Sequence, residues 1–223
     1  MHKTFFAANP KHKEVLVILK KTYPEATIAL KYGNNIQLLV AVILSAQCTD
    51  KKVNEVTGDL FKKYKTAKDF TNANIKTFEQ EIRSTGFYHN KARNIIAACK
   101  IIEKSFNGEV PKTMEEILTL PGVARKTANV VLGNAYGVVG GIAVDTHVKR
   151  LSQRLGFSQY DNPIKIEKDL TELFPKKYWF GLTYILIEHG RAICKAPTPL
   201  CEKCPVAKLC PTGIKRQGLN VKL

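Results

Sequence analysis

Lys126 and Asp145 bracket a run with no charged residue: the eighteen positions from Thr127 to Val144 carry none, in a chain with 35 lysines and arginines. An amine at one end and a carboxylate at the other suit nucleophilic amine chemistry. A lysine attacks only as the neutral amine, which partial desolvation or the positive end of a helix dipole favours. The residues around Lys126 offer both. Leu120-Pro121-Gly122 reads as a tight turn, because proline disfavours helix in the residue before it and glycine reaches unusual backbone angles. A helix is expected from about Ala124, with Ala128, Val131, Leu132 and Ala135 forming one apolar stripe. Lys126 falls on the opposite side with Val130 and Gly133, so it is expected to be partly enclosed by protein or by a cleft. Taken alone, the same residues fit an ordinary solvent-reaching lysine beside a turn that binds phosphate through its backbone N–H groups.

Asp145 also has a plain structural use, as the cap of a helix opening at Thr146 whose basic face holds Lys149, Arg150 and Arg154. His147 on that helix is expected to be hydrogen-bonded structure. The second constellation is Cys194, Cys201, Cys204 and Cys210, spaced C-x6-C-x2-C-x5-C. Four thiolates that close can hold a cubane iron–sulfur cluster or a tetrahedral zinc ion. Zinc sites of this kind usually show two short cysteine pairs; one occurs here, which favours a 4Fe–4S cluster. With all four ligands from protein, the cluster has no open position for substrate. Its expected part is to staple a basic loop, carrying Lys195 and Lys203, against a phosphate backbone. Cys48 and Cys99 lie on apolar stretches and are expected to be buried and inert.

Helices must position these groups. Lys11 to about Lys21 is amphipathic, with Pro24 closing it; Ile36 to Leu44 is nearly continuously apolar and reads as a core helix despite its β-branched residues. Gln47 and Asp50 at its exit suit a turn or cap. Short helices are expected at Ala67–Phe70 and Ile75–Ser84, and a longer one carrying Ile95, Ile96 and Ala98 with Asn90 as its cap. Asn107-Gly108 is a turn, Thr113 to Glu116 has the form of a capping box, and Ile166–Phe174 and Trp179–Ile193 are amphipathic. Strand alternation is almost absent, so the fold class is all-α. The formal charge of +16 over 223 residues is spread along the chain, which indicates a polyanionic partner bound by a folded face. No apolar stretch suits a signal peptide or a membrane span, so a soluble intracellular protein is expected, with six cysteines serving metal before disulfides.

Leu-Pro-Gly-Val-Ala-Arg-Lys-Thr-Ala-Asn-Val-Val-Leu at 120–132, Ala-Val-Asp-Thr-His-Val at 143–148 and the cysteine spacing together resemble the endonuclease III family of helix-hairpin-helix DNA glycosylases. Leu-Ser-Ala-Gln-Cys-Thr-Asp at 44–50 and Gly-Phe-Tyr-His-Asn-Lys-Ala at 86–92 extend the resemblance over nearly the whole chain. It implies two helical domains with DNA in a cleft between them. One is a six-helix domain at about 28–139 containing the hairpin; the other joins 1–27 to 140–223 and carries the 4Fe–4S cluster. It implies a base-excision-repair enzyme that removes oxidised pyrimidines such as thymine glycol from duplex DNA and cuts 3′ to the abasic site by β-elimination. Lys126 would be the Schiff-base nucleophile and Asp145 the catalytic carboxylate. Gln47 and Phe87 would fill the hole left by the flipped nucleotide. Gly122, Ala124, Arg125, Lys149, Arg150, Lys195 and Lys203 are the further DNA-contact candidates. A monomer in the cytoplasm, associated with the nucleoid of a bacterium or archaeon, is expected.

The chain departs from the family pattern in three places. Ala124 replaces the usual second hairpin glycine and is harmless if its φ is negative. The 195–200 loop is less basic than is common, which shifts phosphate contact toward Lys149, Arg150 and Arg154. Phe87 stands where an aliphatic residue is common. Three rivals make distinct predictions. The adenine-removing relative lacks the lysine and usually carries a further C-terminal domain. A non-catalytic helix-hairpin-helix module would bind DNA without covalent chemistry. A cluster-based redox regulator would change affinity with oxidation state.

Overall fold

The computed structural model describes residues 10–219, and all regular structure among them is helical: twelve α-helices and four short 3-10 turns. Residues 1–9, where a signal peptide was weighed, lie outside the described residues. Two compact units emerge, one from the residues up to Thr27 together with those from Gly141 onward, the other from Ile28–Gly140.

The Ile28–Gly140 unit is built around α2, Asn35–Leu44. Asn34 caps it by accepting from Gln37 N at 3.0 Å, and every residue from Ile36 to Leu44 is buried. A helix apolar on all sides must be wrapped by others, which is why β-branched residues sit in it without strand partners. It packs on α3 (Asp50–Lys63), α6 (Tyr88–Ser105) and α8 (Arg125–Tyr136). Its one buried polar side chain, Gln37, takes Gly33 N and gives to Phe61 and Tyr64 carbonyls. Helix α3 was not anticipated, although Thr49 caps it and Val53, Thr57 and Leu60 are its buried stripe. Helices α4 (Ala67–Thr71) and α5 (Ile75–Glu81) complete an aromatic cluster of Tyr64, Phe70 and Phe78.

Helix α6 begins two residues earlier than its expected cap. Asn90 lies inside the first turn, and Phe87, in the left-handed region at φ 49°, is the capping position. Helix α7 (Met114–Ile117) is a single turn capped by Thr113, whose hydroxyl takes Glu116 N at 3.2 Å.

In the other unit, α1 (Pro10–Thr22) packs on α11 (Trp179–Ala192), as does α9 (Thr146–Arg154), and α10 (Pro163–Leu173) lies on α9. Val15, Leu16 and Leu19 meet Val148, Leu151, Phe157, Phe174, Leu182 and Leu186 in one core. Gly190 of α11 is required by closeness: a Cβ there would come within 2.8 Å of His147 Nδ1 and 3.0 Å of Arg150 Nη2. Helix α12 (Pro211–Gln217), also unanticipated, closes the cysteine segment through Gln217 Nε2 donating to Cys201 O at 2.9 Å.

Candidate active site and cysteine centre

Leu120 to Val123 forms a four-residue turn closed by Val123 N donating to Leu120 O at 3.1 Å. Pro121 supplies the fixed φ at its second position and Gly122, at φ 80°, the left-handed third position, the pairing of a type II turn. Gly122 is also pressed against α6, where a Cβ would lie 2.9 Å from Asn94 Cβ. Ala124 caps α8 at φ −93°, ψ 169°, ordinary extended backbone. The methyl group in place of a glycine therefore carries no conformational cost.

Helix α8 then starts with Arg125 and Lys126, so the amine stands in the first turn, beside N–H groups that no helical carbonyl satisfies. The stripe of Ala128, Val131 and Leu132 is buried as expected. Enclosure of Lys126 is not found: the residue is exposed. Gln47 and Phe87 belong to the same unit. Both are exposed non-glycine residues in the left-handed region, at φ 53° and 49°, and Phe87 keeps 64 % of its surface open. Such angles cost about 1–2 kcal/mol for an L-residue and are kept where the surroundings fix them.

Asp145 belongs to the other unit. It caps α9, with Oδ1 accepting from Val148 N at 2.8 Å and no other hydrogen bond to the carboxylate among the described residues. Lys149, half-buried, pairs with Asp161 at 2.6 Å. Arg150 does not reach outward as its place on a basic face suggested. It is half-buried and donates to the carbonyls of Cys194 and Gly190 and to His147. Burial and the neighbouring Arg154 hold its pKa below the usual guanidinium value. Arg154 is likewise committed, donating to the carbonyls of Lys195 at 2.8 Å and Pro197 at 2.9 Å. The two arginines shape the cysteine loop; Lys195 and Lys203 remain exposed on it.

Cys194, Cys201, Cys204 and Cys210 line one apolar pocket, walled by Leu155, Ile193 and Pro199. No three His, Cys, Asp or Glu side chains among the described residues converge tightly enough for a single metal ion. Burial raises the thiol pKa of Cys204 to about 11 and that of Cys210 in the same direction, with the neighbouring cysteines adding to both. His189, unremarked in the sequence, is 1 % exposed beside them. Its Nδ1 lies 3.0 Å from the Tyr23 hydroxyl and its Nε2 3.6 Å from Cys204 Sγ. Burial lowers its pKa to about 4, so the ring is neutral. A histidine five positions before the first cysteine was the available signal. Of the remaining cysteines, Cys99 is buried with its thiol pushed up to about 12, and Cys48 is half-buried.

Residues 40–176 match the model of the HhH-GPD superfamily of base excision DNA repair proteins. The chain is 55% identical over 200 residues to endonuclease III of Synechocystis, covering 90% of this chain and 91% of the relative. Against endonuclease III of Bacillus subtilis the identity is 47%, covering 87% and 89%. A solved structure of a trapped endonuclease III–DNA covalent intermediate matches with a TM-score of 0.87 at 45% identity, covering 94% of this chain and 100% of that one. A thermostable thymine-DNA glycosylase, 23% identical with a TM-score of 0.78, shares the fold. With the hairpin, the lysine behind it and the cysteine centre in place, the chain belongs to the endonuclease III family of base-excision-repair enzymes and is a DNA glycosylase and abasic-site lyase.

Proposed function

We propose that Lys126 is the nucleophile and Asp145 the catalytic carboxylate of this reaction, acting on oxidised or ring-saturated pyrimidines in duplex DNA. The position of Lys126 carries the proposal: an exposed amine in the first turn of α8, directly behind the hairpin turn, at a helix N-terminus of the kind that suits phosphate. The relative trapped as a covalent intermediate with DNA supports a covalent route. The damaged nucleotide is extruded, its weakened stacking lowering the cost. Lys126 Nζ bonds to sugar C1′ as the C1′–N bond to the base breaks, and the base leaves with a proton. Asp145 accepts the amine proton or stabilises positive charge on the sugar, its geometry fixed by the Val148 amide. The sugar ring then opens, the C1′–O4′ bond breaking and O4′ taking a proton, to leave a Schiff base between Lys126 and C1′; this acidifies the C2′ hydrogen, whose loss expels the 3′ phosphate and cuts the strand.

Gln47 and Phe87 fill the vacated space. Gly122, Ala124 and Arg125 receive phosphate at the hairpin, and Lys149, Lys195 and Lys203 add electrostatic contact. Arg150 serves this surface indirectly, through the carbonyls it holds. A 4Fe–4S cluster would be held by Cys194, Cys201, Cys204 and Cys210 and, when bound, would supply a covalent cross-link that rigidifies the loop bearing Lys195 and Lys203. The pocket shared by the four sulfurs supports that assignment. On this proposal the enzyme acts as a monomer on the nucleoid, in the cytoplasm of a bacterium or archaeon; the relatives named above are bacterial, and no described helix is long and apolar enough to cross a membrane.

Borohydride trapping on a duplex with a single thymine glycol tests the assignment. A covalent adduct is expected with the wild type, none with Lys126→Ala, and a slowed reaction with Asp145→Asn. A folded wild type that gives no adduct, on this lesion or on an abasic site, would overturn it.

A further inference from the structure

Lys91 is an ionisable side chain in the core of the Ile28–Gly140 unit that the reaction does not use. It is 5 % exposed, on the first turn of α6. Its Nζ donates to two carbonyls far apart in sequence, Leu44 O at 2.8 Å and Thr85 O at 2.8 Å. Leu44 is the last residue of α2, where carbonyls run out of helical N–H partners and attract a cation. Three residues later comes Gln47. Thr85 ends the 3-10 turn Arg83–Thr85, and two residues later comes Phe87. One ammonium therefore joins the roots of two of the three described segments that hold an exposed non-glycine residue at positive φ, the third being the turn at Asn107.

Burial works against this arrangement. It holds the Lys91 pKa below the ordinary lysine value, so the charge is kept there at a cost in stability. An apolar side chain of the same length would remove that cost and leave two buried carbonyls without donors. What the ammonium adds is a fixed spacing between two chain segments distant in sequence.

We infer that Lys91 is a positioning residue for DNA extrusion: it locks the Gln47 and Phe87 loops into one rigid wedge, so that both enter the duplex together. The inference rests on the reading of those two residues as fillers of the vacated space. It implies that Lys91 governs the step in which duplex must be opened and has little bearing on the amine chemistry that follows. A single-stranded abasic oligonucleotide has no stacked partner to displace, and it isolates the second step.

The experiment compares borohydride-trapping rates on an abasic site in a duplex and in the same strand alone, taking their ratio. Gln47→Ala and Phe87→Ala should each lower the ratio. Lys91→Met should lower it by about tenfold or more, since a misplacement of about 1 Å can cost on the order of 100-fold. In the Lys91→Met background, adding Phe87→Ala should lower it little further. Lys91→Arg, which keeps the charge and several donors, should recover most of the loss. If Lys91→Met does not fold, Lys91→Gln, too short to span both carbonyls, replaces it with the same expectation. A wild-type ratio in Lys91→Met, equal losses on both substrates, or no recovery with Lys91→Arg would overturn the inference. Gln47→Ala and Phe87→Ala both leaving the ratio unchanged would instead remove the filler reading on which it stands.

Discussion

Gly122 and Ala124 stand two residues apart in one hairpin, yet exchanging glycine and alanine at them should have very unequal consequences. At Gly122 the backbone is left-handed, φ 80°, and a new Cβ would sit 2.9 Å from Asn94 Cβ and 3.0 Å from its amide nitrogen. The left-handed angle costs an alanine about 1–2 kcal/mol. The contact with α6 adds about 1–3 kcal/mol, because Asn94 Cβ is fixed to the helix backbone and cannot swing away as a side-chain tip would. Reduced freedom of the unfolded chain returns about 0.4–1 kcal/mol. Gly122→Ala should therefore destabilise by about 2–4 kcal/mol, roughly 10 °C in Tm for a chain of this size. At Ala124, φ is −93° and the position caps a helix. Glycine is preferred there over alanine, which offsets its greater unfolded entropy, so Ala124→Gly should change stability by no more than about 0.5 kcal/mol. Urea unfolding followed by far-ultraviolet circular dichroism measures both. Gly122→Ala unfolding at the wild-type urea concentration, or Ala124→Gly losing as much as Gly122→Ala, would refute the geometry assigned to the turn.

Three further outcomes can be checked. Lys195→Ala and Lys203→Ala should each reduce the slope of log affinity against log salt by about 1, uniformly across DNA sequences, if each contacts one phosphate; anisotropy titrations at several salt concentrations give the slopes. Arg154→Lys cannot reach the carbonyls of Cys194, Lys195 and Pro197 together. With the proposed iron–sulfur cluster bound, this variant should lose iron faster than the wild type under chelator, read as the decay of visible absorbance, because the loop that presents the cysteines is freed. His12 is half-buried against Phe157, and burial holds its pKa below the ordinary 6.5. The unfolded chain takes up that proton first as pH falls, so its contribution is full above about pH 6.5 and is lost below it. His12→Phe should flatten the decline in urea-unfolding free energy between pH 7 and pH 5.

Much of this was legible from residue type and spacing. The hairpin at Leu120–Val123 was readable because proline and glycine each have one strong backbone preference. The buried α2 was readable because seven apolar residues in a row, Leu38 to Leu44, admit few environments. Helix α3 is less legible despite the spacing of Val53, Thr57 and Leu60, because only three of its fourteen residues are buried and charged residues fill much of the rest. Phe87 as a helix cap was not foreseeable: no side-chain rule predicts a phenylalanine in the left-handed region, and tertiary ties hold it there. Lys126 was placed correctly on its helix but its exposure was misjudged, because an uncharged sequence run says nothing of which side faces solvent. Arg150 and Arg154 looked like surface cations; only the folded cysteine loop shows the carbonyls that claim them.

The first two turns of α6 touch three things at once: Phe87 caps the helix, Lys91 holds the end of α2, and Asn94 abuts Gly122 of the hairpin. Such a helix behaves as a jig. Two loops and the hairpin are indexed to it, so a small rotation of α6 about its axis would shift all of them in a correlated way while every side chain stayed in place. For redesign of lesion preference the unit of exchange is then the whole α6 face. Swapping Phe87 for an aliphatic residue alone would alter the shape of the wedge tip and leave its alignment unchanged. Transplanting a loop from a relative without the residues at 91 and 94 would change the alignment as well, and any gain in preference would be confounded with a loss of registration.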